Sequence, residues 1–70
     1  MRWAMGQNPD QITRSESKVL EQLLLGSSNK SIAAALLLSP RTVESHIANL
    51  LAKTGCQSRT QLLLWALDRR

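Results

Sequence analysis

Apolar residues recur at helical spacing in four short blocks, each bounded by residues that start or stop helices. In the first block Val19, Leu20, Leu23 and Leu24 make one stripe. Thr13 and Glu16 stand before it as a T-x-x-E capping box, each side chain satisfying an orphan amide at the helix start. Gly26 is placed to stop this helix. A second, shorter helix is predicted after Ser28 or Asn29, with Ile32, Ala33 and Leu36 inward, ending around "LLLS". Ser39-Pro40 is a strong restart signal. Serine is a good N-cap, and proline at the first helical position lacks only an amide that would be unpaired anyway. The third helix runs to about Thr54, turns Val43, Ile47, Leu50 and Leu51 inward, and has Gly55 to end it. Ser58 with Gln61 makes another capping box, opening a fourth helix through Leu67. No stretch carries a strand signal. The expectation is an all-α fold of four short helices with tight connections over residues 12–70. Residues 1–11, polar and aperiodic with Gly6, Asn8, Pro9 and Asp10, read as a leader or the stub of a linker.

The outer side of the third helix raises a question. In "SPRTVESHIANLL" it carries Ser45, Ala48, Asn49 and, one turn on, Ala52. An ordinary solvated face would be filled with Lys, Glu and Arg. Small residues there imply that something approaches closely. Helices two and three, about three residues apart, have the layout of a helix-turn-helix, whose second helix lies in the DNA major groove with its N-terminal half facing base edges. Small side chains would let that helix sink into the groove. The plainer alternative is a helical bundle whose outer face happens to be small, and periodicity alone does not separate the two.

The fourth helix is apolar all round. Leu62, Leu63, Leu64, Trp65, Ala66 and Leu67 are consecutive and cover the whole circumference. Three short helices can bury only one side, which Leu62, Leu63 and Ala66 would supply. Leu64 is left nearly opposite with Trp65 to one side, an exposed strip that wants a partner. A dimer contact through Leu64 and Trp65 is expected. Cover by residues 1–11 with Trp3 is the alternative.

Composition narrows the partners. The 70 residues suffice for one small domain. The apolar share is 43% with no Phe or Tyr, so the core must be built mainly from Leu, Ile, Val and Ala, and such a chain gains from oligomerisation. A net charge of +4 and a pI near 10.3 favour a polyanionic partner. No apolar run approaches the ~20 residues that span a bilayer, and "MRWAMGQNPD" lacks the apolar region of a secretory signal. One cysteine, Cys56, excludes an internal disulfide framework and fits a reducing cytoplasm. Cys56 and His46 are too few for a protein-only zinc site. No cofactor is expected. With no nucleophile–base pair, phosphate loop or metal cluster, neither is an enzyme. His46 has no second catalytic group near it in sequence, and Cys56 is read as a packed, inert loop residue.

"ITRSESKVLEQLLLGSSNKSIAAALLLSPRTVESHIANLLAKTGCQSRTQLLLWAL" resembles the LuxR/FixJ-type (NarL/GerE-like) DNA-binding domain of bacterial transcription regulators, most closely in "SNKSIA", "LSPRTVESHI", "LLAKTG" and "SRTQ". The resemblance implies a four-helix domain that binds promoter DNA as a homodimer, helix three reading the DNA and helix four dimerising. It places Arg41, Glu44, Ser45 and Ala48 where bases or nearby backbone are addressed. It places Lys30, Thr42, His46 and Lys53 where phosphates are contacted or the helix is supported. Family members often carry Lys at the position of Glu44. A carboxylate there repels phosphates, and it either accepts a hydrogen bond from cytosine N4 or pairs with Arg41. Double-stranded promoter DNA, a second copy of the chain and, as a further candidate, RNA polymerase are the implied partners. A protein-interaction module of the same fold, pairing with another regulator, is the alternative. Family members usually attach this domain to a receiver or ligand-binding domain on its N-terminal side, so the chain is expected to be either a stand-alone regulator or part of a larger one.

Overall fold

The computed structural model describes residues 12–69, which form α1 (Arg14–Leu24), α2 (Asn29–Leu36), α3 (Pro40–Thr54) and α4 (Arg59–Arg69). Each start follows from its local chemistry. At α1 the full capping box forms: the Glu16 amide donates to Thr13 Oγ1 at 3.1 Å, and the Thr13 amide to Glu16 Oε1 at 3.0 Å. Ser28 caps α2 by accepting the Ser31 amide at 3.2 Å. Ser39 caps α3 by accepting the Thr42 amide at 3.1 Å, with Pro40 at the first helical position.

The start of α4 differs from the box expected for Ser58 and Gln61. Ser58 Oγ accepts the Gln61 amide at 3.1 Å, but the Gln61 side chain accepts from Gln57, one residue before the cap, at 2.7 Å. The longer reach still satisfies an amide ahead of the helix, so the box is displaced rather than missing. The helix also continues to Arg69, past the expected end at Leu67.

The helix ends use left-handed backbone. Gly26, φ +83°, and Gly55, φ +75°, take it where glycine has no steric cost. Leu37 closes α2 in the same conformation, φ 59° and ψ 42°, without being glycine. Leu37, Leu38 and Ser39 are the three residues joining α2 to α3.

The core is Val19 and Leu23 from α1, Ile32 and Ala33 from α2, Val43, Ile47 and Leu50 from α3, and Leu62 and Ala66 from α4. It is aliphatic throughout, as the absence of Phe and Tyr requires. Helices α1 and α3 each pack on the other three, while α2 and α4 do not pack on each other. A half-buried ion pair ties the start of α1 to the end of α3: Lys53 Nζ meets buried Glu16 Oε1 at 2.7 Å. Buried Thr54 returns its hydroxyl to the Leu50 carbonyl at 2.7 Å, which satisfies its polar group inside the core.

Candidate nucleic-acid interface

At about 100° per residue, α3 divides into an inward and an outward stripe. Val43, Ile47, Leu50 and Thr54 are buried. Arg41, Ser45, Ala48 and Ala52, spaced i, i+4, i+7 and i+11, lie opposite them and are exposed. Glu44 and Asn49 flank this stripe on either side and are also exposed. The outward stripe with these two neighbours is therefore one cation near the helix start, a carboxylate, an amide and otherwise side chains no larger than serine. No ion pair joins Arg41 to Glu44 among the described residues.

Thr42, His46 and Lys53 fall between the two stripes and are half-buried. Thr42 shares a 2.9 Å hydrogen bond with the Ser39 hydroxyl, so its side chain reinforces the helix cap. His46 Nδ1 is buried without a hydrogen-bond partner, which leaves Nε2 as the nitrogen through which the ring can meet another group. Lys53 stands three turns beyond Arg41, roughly 18 Å along the helix at 1.5 Å per residue, with its ammonium on Glu16. Burial alone pushes the Glu16 carboxyl up, but Lys53 and Thr13 together outweigh it and hold Glu16 below the ordinary carboxylate range. Lys30 is exposed on the first turn of α2. The sequence-predicted residues thus divide into an outward group (Arg41, Glu44, Ser45, Ala48, Asn49), a flank (Thr42, His46), a cation on α2 (Lys30) and one internally paired lysine (Lys53).

On α4, Leu62 and Ala66 are buried, and Leu63 and Trp65 pack half-buried on the core. Leu64 is 61% and Leu67 54% exposed, one turn apart on one face. Cys56 is half-buried against the core, its amide donating to the Thr54 hydroxyl at 3.4 Å. Trp3 lies outside the described residues. Among the described residues no group of three or more His, Cys, Asp or Glu side chains is arranged to hold a metal ion. Nor, among the described residues, is any helix long and apolar enough to cross a membrane.

One residue escaped the sequence reading. Arg59, at the start of α4, donates from Nη1 to Asn29 Oδ1 at 2.6 Å and from Nη2 to the Ser27 carbonyl at 2.9 Å. Thirty positions separate Arg59 from Asn29, and no local pattern announces a contact across that distance.

Comparison with known proteins gives this surface its context. The transcriptional regulatory protein YhcZ of Bacillus subtilis, described as uncharacterized, is 51% identical over 57 residues, 81% of this chain and 27% of the relative. The CsgBAC operon transcriptional regulatory protein of Escherichia coli is 40% identical over 57 residues, 81% of this chain and 26% of its own length. Response regulator Rre1 of Synechocystis is 46% identical over 56 residues, 80% of this chain and 24% of the relative. The chain thus spans about a quarter of the length of these relatives. The family described as bacterial regulatory proteins, luxR family, matches residues 10–66. With four helices, a three-residue turn before α3 and that match over most of its length, the chain belongs to the luxR family of bacterial regulatory proteins.

Proposed function

We propose that this chain binds double-stranded DNA sequence-specifically as a homodimer, with the N-terminal half of α3 in the major groove, and regulates transcription in the cytoplasm. The observation that carries the reading is the exposed stripe of α3, small from Ser45 to Ala52 and opened by Arg41. Short outer side chains let a helix sit deep in a groove about 12 Å wide. Arg41 supplies a charge at the entry, for a guanine edge or a phosphate. Glu44 accepts from cytosine N4, and Ser45, Ala48 and Asn49 lie against base edges. Lys30, Thr42 and His46 meet the phosphate backbone on the flanks, His46 through Nε2. Lys53 acts by supporting the helix through Glu16. The exposed Leu64 and Leu67 favour a two-fold contact through α4, with Trp65 at its margin. The names of the relatives, transcriptional regulatory proteins and a response regulator, support the regulatory role. RNA polymerase is proposed as the second partner through which it acts.

The test is made on Ala48. Sites are first selected from a random duplex pool, then binding is measured as a function of salt. Wild type should show a steep log–log slope from released counterions. Ala48→Glu adds volume on the groove side without touching the core face, so it should abolish specific binding with thermal stability nearly unchanged. Unchanged binding by Ala48→Glu would show that this face does not meet DNA. The exposed Glu44 carboxylate favours one other reading, an interaction module that pairs with another regulator. A flat salt dependence would establish it instead.

A further inference from the structure

The outward face of α3 carries two charged residues, Arg41 and Glu44, and their charges cancel, although the chain as a whole has a net charge of +4. They stand three residues apart, a spacing at which opposite charges can pair on a helix surface. Among the described residues they do not pair, and neither side chain has a hydrogen bond within the protein. Glu16 shows the contrast: it is buried and takes both the Lys53 ammonium and the Thr13 amide. Glu44 is exposed, and nothing in the fold depends on its charge. A carboxylate on that face is costly beside DNA. It enters the negative field of the phosphates and gives up water there. It accepts hydrogen bonds and cannot donate them. In the major groove guanine presents two acceptors and thymine an acceptor with a methyl group, so both repel it. Adenine sets a donor beside an acceptor. Cytosine alone presents an amino donor with no acceptor of its own.

We infer that Glu44 determines specificity chiefly by penalty: its charge weakens binding to every duplex, and only a cytosine amino group beneath it offsets that cost. The inference rests on the DNA-binding reading above and deepens it. A contact that merely adds affinity would leave non-specific binding unchanged when removed. A penalty makes the opposite demand, because taking the charge away must tighten binding to duplexes that lack the site. Specificity is a ratio of affinities, and an unpaired charge set against the wrong partner raises it as surely as a good contact with the right one. Arg41, unpaired as well, is left to supply attraction on the same face.

The experiment compares the 70-residue chain with Glu44→Gln and Glu44→Ala. Both replacements are good helix formers and Glu44 has no partner to lose, so helicity and thermal melts should match wild type. For each protein, sites are selected from a random duplex pool. Affinity is then measured over a range of salt, against the wild-type site and against a duplex lacking it. Wild-type sites should fix a cytosine at one position of the half-site. Both variants should lose that preference, and glutamine should move it toward adenine, whose donor and acceptor match a side-chain amide. On the duplex lacking the site, both variants should bind about threefold tighter than wild type at low salt, with a salt slope steeper by up to about one. The ratio of specific to non-specific affinity should fall about tenfold. Should one variant fail to fold, the other decides. Non-specific binding that is equal or weaker without the charge overturns the inference, since the carboxylate then costs nothing at the DNA. So does a cytosine preference that survives both substitutions. A wild type that selects a site while the variants behave like it overturns the inference alone. A wild type that binds no duplex overturns the DNA reading as well.

Discussion

At the scale of single residues, the Glu16 carboxylate joins a local role to a long-range one. Its Oε1 accepts both the Thr13 amide and the Lys53 ammonium, one bond closing a capping box and the other joining two helices. The capping role was legible from four adjacent residues; the ion pair was not, because its partner stands 37 positions away. Glu16→Gln separates the two, since glutamine serves a capping box equally well while losing the charge. With Lys53 half-buried, the pair is worth more than a surface one and less than a fully buried one. The variant should lose about 1–2 kcal/mol near pH 7. The sign with pH follows from the lowered Glu16 pKa. A depressed carboxyl stabilises the fold fully above its unfolded value, near 4.5, and that contribution is lost as pH falls through the folded value. Denaturant titrations should therefore show wild type and Glu16→Gln converging on acidification below about pH 4.5. A gap that stays constant would remove the ion pair as its source.

At the scale of elements, the end of α2 is the informative case. Both helix-ending glycines stand where a left-handed residue is needed, and both could be read from sequence. Leu37 takes the same backbone without glycine and leaves its side chain 91% exposed. A non-glycine residue there costs roughly 1–2 kcal/mol of backbone strain, and exposure means the side chain returns little of it. Leu37→Gly should stabilise the free domain by about 0.5–1 kcal/mol after the added entropy of the unfolded chain is subtracted. Thermal melts check it. A destabilised glycine variant would mean that the leucine side chain makes a contact worth more than the strain. The restart at Ser39-Pro40 predicts the end of α2 around "LLLS", and the helix ends at Leu36. The conformation of Leu37 has no such signal, because no residue type at that point announces it.

At the scale of the whole molecule, the domain has two surfaces with opposite demands. The α3 stripe is small and polar enough to stay in water, whereas α4 exposes Leu64 and Leu67 side by side. Under the proposed dimer, Leu64→Asp should place a charge in the two-fold contact while leaving the buried Leu62 and Ala66 face untouched. Sedimentation should show loss of the dimer with helicity retained, and binding to a two-half-site duplex should fall more than binding to a single half-site. A wild type that stays monomeric on DNA would remove α4 as the dimer contact. Cys56, half-buried on the core, offers no comparable surface.

The sequence by itself determined the four helices, their caps and which faces are apolar, because capping boxes, Ser-Pro starts, glycine stops and the 3.6-residue period all act within a few positions of one another. It also determined the small outer stripe of α3, since the same period that buries Val43, Ile47 and Leu50 must turn Ser45 and Ala48 away. What only the tertiary structure decided are the pairings between helices. Lys53 and Arg59 are cations of the same standing in a list of charges, and a local pattern cannot say that one meets Glu16 and the other the entry of α2. Those contacts exist because the core packs α1 and α3 together and leaves α2 and α4 apart, and a side chain's partner is set by where its helix is held, not by its neighbours in the chain.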